Sequence, residues 1–367
     1  MKISGLQIFW LMFTFETGNM LLLTVGPPII VAKQDAWISS LIAIFFGIAV
    51  VFAATKVGLF FPNKTLVEFT KLILGKWLGT IIIFFYFIQW YSVIGTILGE
   101  FAEFTITILL PTTPSWILIL TMLLLMIYVT YTGGIEGIAR CSEVFGPMVL
   151  LMVVLLVILS LPNMEFDRIL PIYSETGFRE ILKGSFSPLS FLGESVIMMM
   201  MISFMDQPKQ GPLKAIWGIA LSGFLVSTVI ISVLTIFGPE VASKFLFPAF
   251  ETIRFINVMN FIQNLEIIAV LVWILSAFIK VSLYFFSASY GTAQILKLKD
   301  WRKMIWFVAI ITFLIAILQP TTKLFGTEYV NEYWVKYVLP INMIGFPLLL
   351  LIVGSIRNRT AASKNGS

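Results

Sequence analysis

The chain has 367 residues, of which 59% are apolar and 12% are charged, and its mean hydropathy is +0.99. Soluble domains carry about 25% charged residues, so this composition indicates a protein with many membrane-spanning helices. The sequence contains no histidine and a single cysteine, Cys141. It therefore excludes Ser-His-Asp and Cys-His catalysis, zinc clusters and disulfide scaffolds, and we expect no enzyme activity, metal or cofactor. The net charge of +5 reflects basic loops beside a membrane, so no nucleic-acid partner is expected.

Apolar stretches of about 20 residues predict ten transmembrane helices in one integral membrane domain, residues 1–356. The first five helices form one half of the chain, about 7–161, and the last five form a second half, about 187–355. The polar residues 357–367 predict a disordered tail. The predicted spans are 7–32, 36–60, 78–108, 115–132, 143–161, 187–204, 213–237, 261–290, 302–319 and 335–355.

The placement of lysine and arginine predicts the orientation of these spans. With the N-terminus inside, fifteen of these residues fall on cytoplasmic segments, eight fall on outer segments and one, Lys280, lies within a span. Cytoplasmic loops are enriched in lysine and arginine. We therefore expect a multi-pass protein of the cell membrane with both termini in the cytoplasm.

Two spans carry a glycine beside polar groups at a depth where such groups are costly. Span 1 contains Glu16, Gly18 and Asn19 near its midpoint, and span 6 contains Gly193 followed by Glu194. Paired interruptions at equivalent positions of two halves are typical of transporter sites built on inverted repeats. We predict that Gly18–Asn19 and Gly193–Glu194 are non-helical and face each other across a central cavity. The alternative is that both glycines simply allow close helix packing.

Further charged residues occur in or near the spans. Lys280 lies toward the cytoplasmic half of span 8. It either extends along the helix to the inner headgroups or supplies a fixed cation within the bundle. Glu100 and Glu103, near the outer end of span 3, and Glu266, near the outer end of span 8, are expected at the membrane interface.

Four segments carry a family resemblance, which extends over most of the chain. They are Asn63 to Glu68 followed by Leu74 to Gly79; Phe247 and Pro248 with Glu251, Arg254 and Ile256; Glu266 through Trp273 and Phe278 to Lys280; and Arg140 to Pro147. Together and in this order they resemble endospore germinant-receptor B subunits, which belong to the amino acid–polyamine–organocation superfamily.

The resemblance implies a LeuT-type fold of two five-helix inverted repeats, with helices 1 and 6 broken. Family members act with an A subunit and a lipoprotein C subunit in the inner membrane of dormant spores, where they sense nutrients such as amino acids and trigger germination. Many amino-acid transporters of the superfamily carry a run of small residues and glycines in span 1, which is reduced here to Gly18-Asn19. The sequence therefore favours a nutrient receptor, and a proton-coupled amino acid transporter is the alternative.

In the implied fold, a small zwitterion is expected between spans 1, 3, 6 and 8. Its site would include Gly18, Asn19 and Gly193, with Tyr91 on the wall and Glu194 near the ammonium group. A structural hydrogen bond between helices explains Tyr91 equally well. The alternative for Glu194 is that it is a buried hydrogen-bonding group with a structural role.

The resemblance also places Lys280 where sodium-coupled relatives hold an ion between spans 1 and 8. There the ammonium group would pair with Glu16, hydrogen-bond carbonyl groups near Gly18 and replace a coupling cation. The sequence leaves open whether Lys280 pairs with Glu16 or reaches the headgroups instead.

Overall fold

The computed structural model describes residues 1–173, 176–256, 265–318 and 325–365. In these ranges the chain is almost entirely helical, so the predicted all-helical architecture is confirmed. The α-helices are α1 (Gly5–Leu23), α2 (Gly26–Ala32), α3 (Ala36–Phe60), α4 (Leu66–Leu74), α5 (Lys76–Ile108), α6 (Ser115–Ser160), α7 (Phe178–Gly184), α8 (Phe186–Leu192), α9 (Met198–Met201), α10 (Gly211–Ala242), α11 (Pro248–Arg254), α12 (Glu266–Ile295), α13 (Lys303–Leu318) and α14 (Phe346–Asn365).

Eight stretches of the described chain are long and apolar enough to cross a membrane. All ten predicted spans overlap described helices. The predicted start of span 8, at 261, and the predicted end of span 9, at 319, lie outside the described residues. The shorter apolar helix α13 has 16 residues. The eight stretches are Gly5–Leu23, Gly26–Phe60, Lys76–Ile108, Ser115–Asn163, Phe178–Phe204, Pro208–Ala242, Glu266–Ile295 and Val330–Arg357.

Two predicted spans, 115–132 and 143–161, fall in the single element α6, which has 46 residues. A straight helix of this length would extend about 69 Å, more than twice the ~30 Å hydrocarbon core. Gly134 interrupts α6 with φ 56° and ψ −145°, a conformation that glycine adopts without steric cost. The element therefore consists of two helical segments that meet at Gly134.

The first span is interrupted, but at a different place from the predicted one. Helix α1 continues through Gly18–Asn19, so the prediction that this pair is non-helical is wrong. The chain leaves the helix at Thr24–Val25. Pro27 and Pro28 follow in the first turn of α2 and lack the backbone N–H groups that a continuous helix would need.

The sixth predicted span remains helical, although its winding changes along its length. Gly193–Ile197 and Ile202–Phe204 are 3₁₀ helices, and the short helix α9 separates them. The prediction of a non-helical Gly193–Glu194 is therefore also wrong. Short 3₁₀ stretches within a helix are common at hinges and strained sites.

Gly18 and Gly193, where the sequence predicted interruptions, are positions at which neighbouring segments pack closely. A Cβ atom at Gly18 would lie 2.4 Å from Ser276 Cβ of α12. A Cβ atom at Gly193 would lie 2.8 Å from Met343 Sδ. Only glycine allows such close approach without displacement of the neighbour. The structure thus favours the packing interpretation of these glycines.

Helices α1 and α12 pack together in the interior of the bundle. Every residue from Leu11 to Met20 and from Ser276 to Ser289 is buried. A helix that is buried on all sides lies in the core of a bundle rather than at its surface. This pair of helices therefore carries Glu16 and Lys280 into the protein interior.

Helix α14 continues to Asn365, beyond residue 357, where the sequence predicts a disordered tail. Arg357 Nη1 donates a hydrogen bond to Leu72 O at 2.7 Å and so connects this helix to α4. Residues 358–365 contain neither glycine nor proline, so the helix of the last span can propagate into them.

Candidate functional site

Three ionisable side chains from three segments meet in the bundle interior. Lys280 Nζ of α12 donates to Glu194 Oε1 at 2.8 Å and lies 3.8 Å from Glu16 Oε2 of α1. The exposed fractions of Lys280, Glu194 and Glu16 are 1%, 2% and 0%. We call these three residues the ion cluster. The predicted contact between Lys280 and Glu16 is present, and the sequence missed the shorter one to Glu194.

Burial decides between the two interpretations of Lys280. A lysine that extends to the headgroups keeps its ammonium group in water or at the interface. Here the ammonium group is enclosed by protein and lies over the rings of Phe15 at 4.9 Å and Phe191 at 5.1 Å. Both rings attract the cation through their quadrupoles. The side chain of Lys280 therefore lies inside the bundle and does not extend to the headgroups.

Glu194 already has a partner for each of its carboxylate oxygens. Oε1 accepts from Lys280, and Oε2 accepts from Tyr284 Oη at 2.6 Å. Tyr284 follows Lys280 by four residues on α12, and such a spacing puts two side chains on the same face of a helix. The four-residue spacing from Lys280 could therefore have identified Tyr284 from the sequence, but Tyr284 was not among the predicted site residues.

The ion cluster is formally unbalanced, with two carboxylates and one ammonium group. No hydrogen-bond donor reaches either oxygen of Glu16 in the described chain, since the contact to Lys280 at 3.8 Å is an ion pair only. A buried carboxylate without donors is costly. Across the described ranges, no group of three or more histidine, cysteine, aspartate or glutamate side chains has the arrangement of a metal site.

A cavity of about 310 Å³ lies beside the ion cluster, and we call it the polar cavity. Apolar side chains form much of its wall, and the polar groups come from α1, α5, α12 and the 3₁₀ segment after α8. Its described lining residues are Asn19, Leu23, Val93, Thr96, Ile97, Glu100, Phe191, Glu194, Lys280, Val330 and Trp334.

Two buried acceptors of the polar cavity have no donor in the described chain. They are Asn19 Oδ1 and Glu100 Oε2, on α1 and α5. Glu100 is 7% exposed and lines the cavity, so its predicted position at the membrane interface is wrong. The predicted span, 78–108, ends at the same residue as α5, so the error concerns the direction of the side chain, which faces the cavity inside the bundle.

The remaining predicted site residues separate into two groups. Asn19 and Glu194 line the polar cavity, as the predicted ligand site requires. Gly18, Gly193 and Tyr91 are not among its described lining residues. Tyr91 Oη shares a hydrogen bond of 2.8 Å with Thr292 Oγ1, which is the structural role that the sequence left open.

A second, larger cavity of about 640 Å³ lies beside the same part of α1, and we call it the apolar cavity. Gly18 and Leu22 of α1 line it together with Trp273 of α12. None of its described lining residues is ionisable. The hydroxyl groups on its wall donate to carbonyl oxygens of their own helices, at Ser160, Ser232 and Thr252.

Comparison with known proteins identifies the chain's relatives. The family model described as "Spore germination protein" (Spore_permease) matches residues 2–324. Spore germination protein KB of Bacillus subtilis (strain 168) is 26% identical over 372 aligned positions, which cover 100% of this chain and 98% of that protein. Spore germination protein YndE of the same organism is 26% identical over 89% of both chains.

Solved structures with a similar fold are transporters. Mhp1, described as a nucleobase-cation-symport-1 family transporter in a closed conformation, matches with a TM-score of 0.68 and 12% identity, over 90% of this chain and 75% of that one. A Na⁺-coupled sialic acid symporter matches with a TM-score of 0.63 and 13% identity, over 96% and 88%. These matches show a LeuT-like transporter fold. Since the family model covers most of the sequence, the chain belongs to the spore germination protein family, as a germinant-receptor B-type subunit.

Proposed function

We propose that this protein senses a nutrient by binding a small ligand, such as an amino acid, in the polar cavity. Ligand binding there triggers spore germination. One observation carries the proposal: Glu194 and Lys280 of the buried ion cluster line a cavity between the helices. Intramembrane charges are costly and are retained mainly where they serve a function.

The family and the transporter-like fold support the same proposal. Transporters of related architecture bind their solutes between the helices of the bundle, near the middle of the bilayer. The polar cavity is formed by the corresponding spans 1, 3, 6 and 8 and by the segment before α14. A receptor can use such a site without transport, because ligand binding alone shifts the equilibrium between two arrangements of the helices.

The test is the germination of spores that carry Glu194→Gln. We expect a response only at higher nutrient concentration, with an unchanged amount of the protein in the membrane. The matched control is Glu180→Gln, because Glu180 forms a 2.9 Å contact with Lys183 at the protein surface. An unaltered concentration dependence for Glu194→Gln would show that Glu194 is only structural.

The finer architecture is part of the proposal. We propose ten crossings in two inverted repeats of five, with α6 contributing two crossings and α13 contributing one. We also propose that both termini face the cytoplasm, as the distribution of lysine and arginine predicts. Cysteine-accessibility labelling of single-cysteine variants at Lys2 and Lys183 tests this arrangement, since the two positions should react from opposite sides.

The proposed cellular setting follows from the family. We propose that the protein lies in the inner membrane of the spore and acts together with a germinant-receptor A subunit and a lipoprotein C subunit. Co-purification of both subunits with a tagged form of this chain from spore membranes tests the assembly.

A proton-coupled amino acid transporter is the second candidate. The observation that favours it is the unequal charge of the ion cluster, because a carboxylate without a full partner can take up and release a proton. The two candidates differ in uptake. Vesicles containing the purified protein should accumulate labelled amino acids under a pH gradient if it transports, and should not accumulate them if it only senses.

A further inference from the structure

The polar cavity offers a ligand few free groups, and their chemical type restricts what can bind. Both oxygens of Glu194 are occupied, by Lys280 and Tyr284. Glu194 is therefore a poor candidate for the residue that receives a ligand's ammonium group. The indole N–H of Trp334 is also occupied, since it donates to Ser190 O at 3.3 Å.

The unpartnered buried atoms on the described cavity wall are both acceptors. Glu100 Oε2 and Asn19 Oδ1 are shielded from solvent and receive no hydrogen bond from the described chain. Buried acceptors are normally paired, so each of these two atoms marks a position where a donor of a bound molecule would fit. Two acceptors on one cavity wall are complemented by a ligand that donates hydrogen bonds.

The charges on the wall have the same implication. Lys280 is paired with Glu194 at 2.8 Å, which leaves Glu100 as the carboxyl group without a close cationic partner among the described lining residues. A positively charged donor supplies both that partner and the missing hydrogen bond. Charge-assisted hydrogen bonds of this kind are about twice as strong as neutral ones.

The other lining residues distinguish an organic cation from a metal ion. Val93, Ile97 and Val330 give the cavity apolar walls, which offer a bare ion no ligand atoms. Sodium or calcium ions prefer a compact shell of oxygen ligands. An amine with a small apolar body matches both parts of the cavity.

We propose that Glu100 binds the positively charged nitrogen of the ligand, with Asn19 Oδ1 as a second acceptor, and that the ligand is a small organic amine, either free or as part of an amino acid. This inference rests on the proposed function, because it assumes that the polar cavity is the ligand site. It assigns to Glu100 the role that the sequence predicted for Glu194.

The test measures the unfolding temperature of the purified full chain in detergent. The probes are the common amino acids and two analogues of each one. The first analogue is an amine that lacks the carboxylate group, and the second is a carboxylic acid that lacks the amino group. We expect stabilisation by at least one amino acid and by its matched amine, and none by the matched acid. Sodium chloride and potassium chloride serve as metal-ion probes and should not stabilise the protein beyond the effect of ionic strength.

Two variants connect the binding to Glu100. Glu100→Gln keeps the shape and removes the charge, so the affinity for the stabilising amine should fall about tenfold or more. Glu103→Gln on the same helix is the matched control and should retain the affinity, because Glu103 is not among the described lining residues of the cavity.

The outcomes separate this inference from the proposed function. Binding of a matched acid or a metal ion in place of the amine, or unchanged affinity in Glu100→Gln, overturns the assignment of Glu100 while a ligand site remains. Absence of stabilisation by every probe overturns both the assignment and the proposed nutrient site.

Discussion

The two cavities beside α1 differ in the chemistry of their walls, and this difference is the basis for proposing one of them as the ligand site. The apolar cavity is the larger, at about 640 Å³ against about 310 Å³, but its described wall has no ionisable group. Its hydroxyl groups are satisfied within their own helices, and its one buried unpaired polar atom among the described residues is the neutral donor Trp273 Nε1. The polar cavity is lined by Glu194 and Lys280 of the ion cluster and by two unpaired acceptors, on Asn19 and Glu100. Volume alone therefore does not identify the site, whereas ionisable side chains on the wall favour the polar cavity.

Adjacent residues of α1 separate the two cavities. Gly18 lines the apolar cavity and Asn19 lines the polar one. Consecutive residues of a helix point about 100° apart, which is enough to put neighbours on different faces. The following predictions test whether the two sides of α1 differ in energy and in function as they do in chemistry.

The largest expected effect is that of Lys280→Ala. This change leaves Glu16 and Glu194 as two buried carboxylates without a cation, and loss of one partner from a buried ion pair costs about 3–5 kcal/mol. We expect a large loss of thermal stability in detergent, or loss of folded protein. Lys183→Ala is the control, because its 2.9 Å contact with Glu180 is at the surface. Exposed pairs contribute about 0–1 kcal/mol, so equal effects of the two changes would contradict the buried cluster.

The next effect distinguishes the two carboxylates of the ion cluster. Glu194→Gln weakens charge-assisted hydrogen bonds to Lys280 and Tyr284, which are worth about 1.5–3 kcal/mol. Glu16→Gln removes an ion pair at 3.8 Å without a hydrogen bond and should cost less. Chemical unfolding of both purified variants in parallel measures the difference. A larger loss for Glu16→Gln would reverse the assignment of the principal partner of Lys280.

A smaller effect is expected on the apolar side of α1. Gly18→Ala places a methyl group 2.4 Å from Ser276 Cβ, and overpacking of this kind costs about 1–3 kcal/mol. Gly133→Ala is the control, because no atom lies within 4 Å of its added Cβ. Thermal unfolding compares the two variants. If Gly18→Ala is as stable as the parent protein but loses its nutrient response, Gly18 has a binding role and the packing interpretation is wrong.

The smallest expected effect is that of sodium. If Lys280 replaces a coupling cation, the germination response should be equal in buffers that contain sodium and in matched sodium-free buffers. The two structurally similar transporters are described by names that include cation symport and Na⁺ coupling, so this prediction separates the present chain from them. A strict requirement for sodium would contradict the role of Lys280 as a fixed cation.

The sequence predicted the helical class and the polar residues of the core because these have local signals. Apolar runs identified the spans, and a charge in the middle of such a run identified Glu16, Glu194 and Lys280. The contact between Lys280 and Glu194 had no local signal, since 86 residues separate them in the chain. Only the tertiary fold brings these two residues together.

The glycine prediction failed for a physical reason that applies to other membrane proteins. A glycine beside a carboxylate is equally compatible with an opened backbone and with close helix packing. The deciding fact is the neighbouring side chain, Ser276 for Gly18 and Met343 for Gly193, which lies far away in the sequence. The true interruption at Thr24–Val25 had a local signal in Pro27 and Pro28, because proline ends a helix by removing a donor.

The most direct test of the account is the position of a bound ligand in an experimental structure. The complex should contain the compound that most raises the unfolding temperature of the purified protein. We predict density in the polar cavity, with the ligand's nitrogen beside Glu100 and Asn19 and with Lys280 still bonded to Glu194. Ligand density in the apolar cavity, between Gly18 and Trp273, would contradict the proposed site.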